Sequence, residues 1–169
     1  MRLTLSTLST PIGTALIVTD GAGALRALDF EDYRSRMDRL LRRHYGVVEL
    51  GDGPVPDAVA QALTAYFDGD LTAPDRLPTA TNGTDFQRLV WTELRRLRPG
   101  ETVSYGTMSA RIGRPAAVRA MGLANGANPI AIVVPCHRVI GADGSLTGYG
   151  GGLHRKEWLL RHEGALITP

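Results

Sequence analysis

Cysteine is almost absent from this chain: Cys136 is the only one in 169 residues. A lone thiol closes no internal disulfide and builds no cysteine-rich zinc site. Cys136 is therefore either a small buried hydrophobe or a nucleophile. Lysine is as scarce. Lys156 stands alone, and every other basic side chain is arginine, which grips phosphate with two parallel donors but is also favoured by GC-rich coding. No run of about 18 apolar residues exists, so no membrane-spanning helix is expected. Met1-Arg2-Leu3-Thr4-Leu5-Ser6 alternates like a strand and lacks the continuous apolar core of a signal peptide. With its single unpaired cysteine, the protein is expected in a reducing interior, the cytoplasm. No internal repeat or low-complexity tract is evident.

What the chain does contain is enough apolar matter for a packed core: 43% hydrophobic residues with 21% charged. Its length suits one large domain or two small ones. The net charge of +2 hides an asymmetry. Residues 1–81 carry 8 basic and 11 acidic side chains, a net of −3, whereas residues 82–169 carry 11 and 6, a net of +5. A basic C-terminal half is what a polyanion partner would meet, although a modest basic excess is common on soluble domains.

Residues 2–8, 14–19 and 24–30 read as short strands separated by turn signals at Pro11-Ile12-Gly13 and Asp20-Gly21. Met37, Leu40 and Leu41 mark one face of a helix over 33–44, and Val59, Leu63, Tyr66 and Phe67 mark another over 57–67. Residues 51–56 between them read as a loop. Residues 69–83 have the composition of a linker, which places a domain boundary near residue 80: domains 1–80 and 81–169. Thr84 with Gln87 forms a capping-box signature, and Phe86, Leu89, Val90, Leu94 and Leu97 continue at helical spacing until Pro99-Gly100. Two short helices follow, about 105–112 and 115–125, broken at Gly113 and with Pro115 suited to a first helical position. They resemble a helix-turn-helix, though a generic helix hairpin is commoner. The second is thin, built from Ala116, Ala117, Ala120, Gly122, Ala124, Gly126 and Ala127. It can approach another helix closely, or a narrow nucleic-acid groove. Residues 130–134 read as a buried strand that delivers Pro135-Cys136-His137-Arg138. Residues 139–149 read as a two-stranded excursion around Asp143-Gly144. A final helix spans 153–163 and ends at Gly164.

Residues 84–164 resemble the O6-alkylguanine-DNA alkyltransferases, the methylated-DNA–protein-cysteine methyltransferases. The resemblance rests on Ser104-Tyr105-Gly106, Arg119-Ala120-Met121-Gly122, Asn128-Pro129-Ile130, Pro135-Cys136-His137-Arg138-Val139, Gly148-Tyr149 and Glu157-Trp158-Leu159-Leu160-Arg161-His162-Glu163-Gly164. Pro-Cys-His-Arg is highly specific by itself. Residues 1–80 resemble the family's smaller N-terminal domain only loosely. The resemblance implies an α+β protein: a small N-terminal three-stranded sheet with helices, RNase H-like, then a mostly helical winged helix-turn-helix domain.

It also implies a chemistry. The family moves the alkyl group of O6-alkylguanine, and of O4-alkylthymine, onto its own cysteine. Here that acceptor is Cys136, a soft nucleophile suited to an sp³ carbon. The thioether product offers no carbonyl for water to attack, so each molecule acts once and needs no cofactor. By the same resemblance, His137 activates the thiol through a bridging water and Glu163 orients the imidazole, with His162 as rival partner. Direct bonding of His137 to Cys136 is not expected, because neighbours on an extended segment point apart. Asn128 braces the segment before the cysteine, and Tyr105 donates toward the purine. Backbone groups of Cys136 and Val139 read the guanine edge, with Tyr149 and Gly150 completing the base pocket. Arg119 wedges into the duplex as the nucleotide is extruded, with Ala117, Ala120, Gly122 and Arg138 at the DNA face.

Three departures from the family pattern stand out. Gly150 replaces a frequent serine, which costs a side-chain contact to guanine. Ala131 replaces proline found in some members, which lowers a wall that bulky alkyl groups would meet. The N-terminal cysteines that bind zinc in some members are missing, so no metal is expected. The expected partner is duplex DNA, with single strands also accepted, bound by a monomer; cooperative assembly on DNA stays open. The competing readings are a damage-recognition protein without chemistry, which Cys136 argues against, a helix-turn-helix regulator with a structural cysteine, and a thiol hydrolase.

Overall fold

The computed structural model describes residues 1–165. The chain forms two compact units. One comprises Met1–Asn82 with Pro129–Val133, and the other comprises Gly83–Asn128 with the described residues from Val134 onward.

In the first unit, β1 (Arg2–Thr10), β2 (Gly13–Thr19) and β3 (Leu25–Phe30) form an antiparallel meander. Helix α1 (Arg34–Tyr45) follows, then β4 (Glu49–Asp52) and α2 (Asp57–Phe67). The sheet has four strands in the order β3-β2-β1-β4, not three. β4 pairs parallel with β1, Arg2 opposite Glu49 and Leu5 opposite Asp52. Glu49-Leu50-Gly51-Asp52 carries one large apolar residue and no useful alternation, and its last two residues fall in the loop expected over 51–56. The open edge of β1, rather than side-chain preference, makes it a strand. Leu3, Leu5, Leu16, Val18 and Ala27 of the sheet pack on Met37 and Leu41 of α1, and each leucine, valine or methionine among them contributes about 1.5–3 kcal/mol on burial.

Residues 130–134 are buried, as an apolar run should be, but they do not form a strand. Ile130 makes a single bridge to Leu28, through Leu28 N donating to Pro129 O (3.0 Å) and Ala131 N donating to Leu28 O (3.0 Å). The chain then turns: Val133 N donates to Ala131 O at 2.8 Å, around Ile132 at φ 70°. A β-branched residue in this region costs about 1–3 kcal/mol and persists only where its surroundings impose it.

The second unit begins with α3 (Asp85–Leu94), whose capping box is formed in full: Gln87 N donates to Thr84 Oγ1 and Thr84 N donates to Gln87 Oε1, both at 3.0 Å. The helix stops at Leu94, short of the Pro99-Gly100 stop, and Leu97 is buried in the following turn. β5 (Val103–Ser104) leads directly into α4 (Tyr105–Arg111), and Gly113 at φ 73° turns the chain toward α5 (Val118–Gly126). α5 starts three residues later than Pro115 suggests: Ala117 N donates to Arg114 O in a turn, and Ala117 is the N-cap. Trp91 Nε1 donates to Ala124 O (2.9 Å) and fastens α3 to α5. β6 (Val139–Ile140) pairs in parallel with β5. The expected two-stranded excursion is not formed; residues 141–145 close a turn through Gly141 N donating to Ser145 O. α6 (Leu153–His162) completes the unit.

Candidate active site

Cys136 sits at the first position of a 3₁₀ turn, Cys136–Arg138, and not at a strand end. Its approach is fixed by a γ-turn. Pro135 has φ −82°, ψ 65°, and Cys136 N donates to Val134 O at 2.8 Å. Asn128 Nδ2 donates to the same Val134 oxygen at 2.7 Å, and Asn125 Nδ2 donates to Cys136 O at 3.4 Å. Two buried amides thus hold the backbone on either side of the thiol. The extended-segment argument for parting Cys136 and His137 does not apply to such a turn.

The residues after Cys136 build a buried charge network. His137 is fully buried and Arg138 and Glu163 nearly so. His137 Nε2 lies 2.8 Å from Glu163 Oε2. Arg138 Nε and Nη2 donate to the two Glu163 oxygens at 2.8 and 3.0 Å, and its Nη1 donates to Leu97 O at 2.7 Å. Burial alone would raise the Glu163 carboxyl. His137 and Arg138 outweigh burial and hold it well below the usual carboxylate range. For His137, burial disfavours the imidazolium more than Glu163 supports it, so its pKa falls below the ordinary value. An ionised carboxylate has no proton to give, so a neutral His137 donates its Nε2–H to Glu163. That tautomer leaves Nδ1 as an acceptor, and Nδ1 is buried with no hydrogen-bond partner among the described residues. The rival His162 instead stacks on Trp158, ring centroids 4.8 Å apart.

Arg138 therefore corrects one expectation. Its guanidinium is turned inward, each of its three nitrogens donating to Glu163 or Leu97, and a group so held is not at a DNA-facing surface. Gly100, at φ 87°, sits so close that an added Cβ would lie 3.2 Å from Glu163 O, which explains why glycine ends that turn.

Lys156 is the residue that motif reading passed over. It is fully buried, and its Nζ donates to Val139 O at 2.6 Å and Thr147 O at 3.2 Å. Burial pulls its pKa down to about 8, with the Cys136 charge opposing that pull. A signal did exist. Lys156, Leu159, Leu160 and Glu163 recur at i, i+3, i+4 and i+7, so a lysine and a glutamate bracket the apolar face of one helix.

Tyr105 is half-buried at the start of α4, and its hydroxyl lies 2.5 Å from Thr147 Oγ1. The β5–β6 ladder, Val103 with Val139 and Ser104 with Ile140, holds Tyr105 and the Cys136 turn in fixed register. Val139 is buried, while Tyr149 and Gly150 are half-buried in the segment that leads to α6. α5 divides cleanly. Met121, Ala124 and Asn125 face inward, whereas Arg119, Ala120 and Leu123 are exposed, with Ala117 and Gly122 between. Arg119 has no hydrogen bond or ion pair among the described residues, so its guanidinium is free to engage a partner. Among those residues, no group of three or more His, Cys, Asp or Glu is placed to hold a metal ion. None of the helices they form is long and apolar enough to cross a membrane.

Comparison with known proteins covers both units. Residues 3–81 match the family model described as the ribonuclease-like domain of 6-O-methylguanine DNA methyltransferase. Residues 85–165 match that described as its DNA binding domain. The chain is 51% identical to the methylated-DNA–protein-cysteine methyltransferase of Salmonella typhimurium, over 99% of both chains. It is 52% identical to that of Mycolicibacterium paratuberculosis, over 77% of this chain and 82% of the other. Among solved structures, Mycobacterium tuberculosis OGT in complex with DNA superposes with a TM-score of 0.80 at 42% identity, covering 95% of this chain and 92% of that one.

Proposed function

The chain belongs to the 6-O-methylguanine DNA methyltransferase family, and on that premise we propose how its residues perform the repair. The protein is a DNA repair enzyme that takes the alkyl group of O6-alkylguanine in duplex DNA onto its own Cys136 and restores guanine. O4-alkylthymine is a second substrate of the same site. The regulator and recognition-only readings leave the thiol and its buried neighbours without a purpose.

The observation that carries the assignment is the buried His137–Glu163–Arg138 network directly following the lone cysteine. Glu163 holds the imidazole in the tautomer whose Nδ1 accepts, and Nδ1 draws the thiol proton through a bridging water. The Lys156 ammonium adds positive charge to the surroundings of the sulfur and favours the thiolate. Arg138 acts from behind: its charge keeps Glu163 ionised, so the orienting acid never competes for the imidazole's proton. The thiolate attacks the alkyl carbon, the S–C bond forms, and the O6–C bond breaks with its electron pair moving onto guanine. Tyr105 supplies a proton to that departing anion.

The target base must leave the stack before Cys136 can reach it. Arg119, exposed on α5, fills the vacated space, and the small side chains of Ala117, Ala120 and Gly122 let the helix come close to the DNA. Little sequence is read in this way, which suits a protein that searches all DNA. Backbone groups at Cys136 and Val139, with Tyr149 and Gly150, form the base pocket. Gly150 can offer guanine only its N–H. We place the protein in the cytoplasm, acting as a monomer, without cofactor or metal.

A stoichiometric titration tests this function. Repaired guanine should rise with added O6-methylguanine duplex and stop when it equals the protein present. Continued turnover beyond one base per chain would overturn the single-use reading.

A further inference from the structure

We propose that Thr147 is a positioning residue for Tyr105: its hydroxyl holds the phenol oxygen and donates to it as the phenol proton passes to the departing guanine. The proposal rests on the reading of Tyr105 as the proton donor.

Thr147 lies between β6 and α6, outside every motif that marks the family in this chain. Its hydroxyl is 2.5 Å from the Tyr105 hydroxyl, a short contact for two neutral groups. It is also anchored from behind. Lys156 Nζ, fully buried, donates to Thr147 O at 3.2 Å and to Val139 O at 2.6 Å. The same ammonium therefore ties the residue beside Tyr105 to a residue of the base pocket. Tyr105 is fixed independently. β5, which it follows, is paired to β6, and Gly122 of α5 lies beside its ring, an added Cβ there falling 3.6 Å from Cδ1. Two rigid supports thus meet at one hydroxyl pair.

Hydrogen bookkeeping then sets the direction. Two hydroxyls in contact share one hydrogen between their oxygens, and the other hydrogen points elsewhere. If Tyr105 gave its proton to Thr147, it would have none for the purine. With Thr147 as donor, the phenol hydrogen is released toward the pocket. During transfer, the S–C bond forms, the O6–C bond breaks, and the phenol proton moves to a purine ring nitrogen. The phenolate left behind accepts the Thr147 hydrogen bond until solvent returns a proton. A donor aimed at a charge that develops only during reaction lowers the barrier without tightening substrate binding.

A double-mutant cycle tests this, read as single-turnover rates on a duplex bearing O6-methylguanine and scaled to protein that can still react. Thr147→Val, which keeps the shape and removes the hydroxyl, should slow transfer by about tenfold, the worth of one hydrogen bond. Thr147→Ser should restore most of the rate. Tyr105→Phe should slow transfer more, and Thr147→Val should then have no further effect. An unchanged rate in Thr147→Val overturns the proposal, as does an equal loss in the Tyr105→Phe background, which would mean that Thr147 acts through the loop. If Tyr105→Phe is itself neutral, the proton-donor reading falls and this proposal falls with it. A slow Tyr105→Phe with a neutral or additive Thr147→Val removes the Thr147 role alone. The serine variant and the cycle keep the test open even if the valine variant is less stable.

Discussion

The two units bury charge very differently. In the first, the buried polar side chains are Ser6, Thr19 and Asp29, and only Asp29 is charged. It is answered by Arg36 at 2.9 Å, itself partly exposed. In the second, Arg138, Arg155, Lys156 and Glu163 are buried together with His137, Asn125 and Asn128. Taking a charge out of water costs several kcal/mol even after relaxation. A unit that needed only to fold would be served as well by leucines. The first unit comes close to that, an apolar sheet-and-helix core with one buried carboxylate, Asp29. The second accepts the cost where the chain passes Cys136, and every charge it buries there either touches the Cys136–Arg138 turn or holds the segment from β6 to α6. Buried charge marks the unit that holds Cys136.

The sharpest way to break this contrast is at the thiol. Cys136→Ser should abolish transfer while leaving binding to damaged duplex; residual transfer by chemical assay would move the chemistry elsewhere. Next is the network behind it. Glu163→Gln should leave Arg138 with an unanswered charge, destabilising the fold by about 3 kcal/mol, and should slow transfer at least tenfold because the imidazole loses its orienting acid. Denaturant melts and single-turnover rates check the two effects. An unchanged rate would show that His137 needs no such partner. Arg119→Ala should slow repair of a duplex about tenfold, a fraction of the cost of extruding a base, and leave reaction with a free O6-alkylguanine base unchanged. Equal losses on both would remove the wedge. The smallest effect on chemistry is expected in the first unit. Asp29→Asn should lower stability by about 1–3 kcal/mol, with the rate per folded molecule unaltered. A slower rate there would mean that the first unit takes part in the reaction.

Acid should expose the same difference. His137 is held neutral in the fold, with its pKa below the ordinary 6.5. Over that interval the unfolded chain binds a proton that the native chain does not, so stability falls as pH drops below about 6.5. Glu163 is depressed from its ordinary 4.5, so its contribution is fully present above that value and is lost as pH falls further toward its folded value. Melting temperatures in Glu163→Gln should lose the second slope. A wild-type melting temperature that is flat from neutral pH into the carboxylate range would contradict the network's energetics.

Much of this was legible in the residues, for reasons that differ by element. α2 and the α3 capping box follow from apolar spacing and from Thr84 with Gln87, signals that act within one turn of helix. β4 was hidden because its strand character comes from the edge of β1 and not from Glu49-Leu50-Gly51-Asp52 itself. Residues 130–134 misled because a buried apolar run looks the same whether extended or turned. At the site, motif resemblance named Cys136, His137, Glu163, Asn128 and Tyr105, and the structure brings His137 to Glu163 and Asn128 to the turn before Cys136. It could not tell that Arg138 faces inward, since an arginine beside a catalytic cysteine suits a phosphate as well as a buried carboxylate. Asn125 and Thr147 were invisible, and Lys156 showed only its place on the apolar face of α6, because their contacts are to a backbone oxygen or a distant hydroxyl. Those partners are fixed only once the chain has folded.

On the proposed function, the second unit's buried charges serve to make one thiol, Cys136, an alkyl acceptor. Intact mass spectrometry before and after incubation with a duplex carrying one O6-methylguanine tests it most directly, with peptide mapping of the product. The prediction is a gain of one methyl per chain, found on the peptide containing Cys136. Repaired DNA with an unmodified protein, or a methyl group on any other residue, would contradict it.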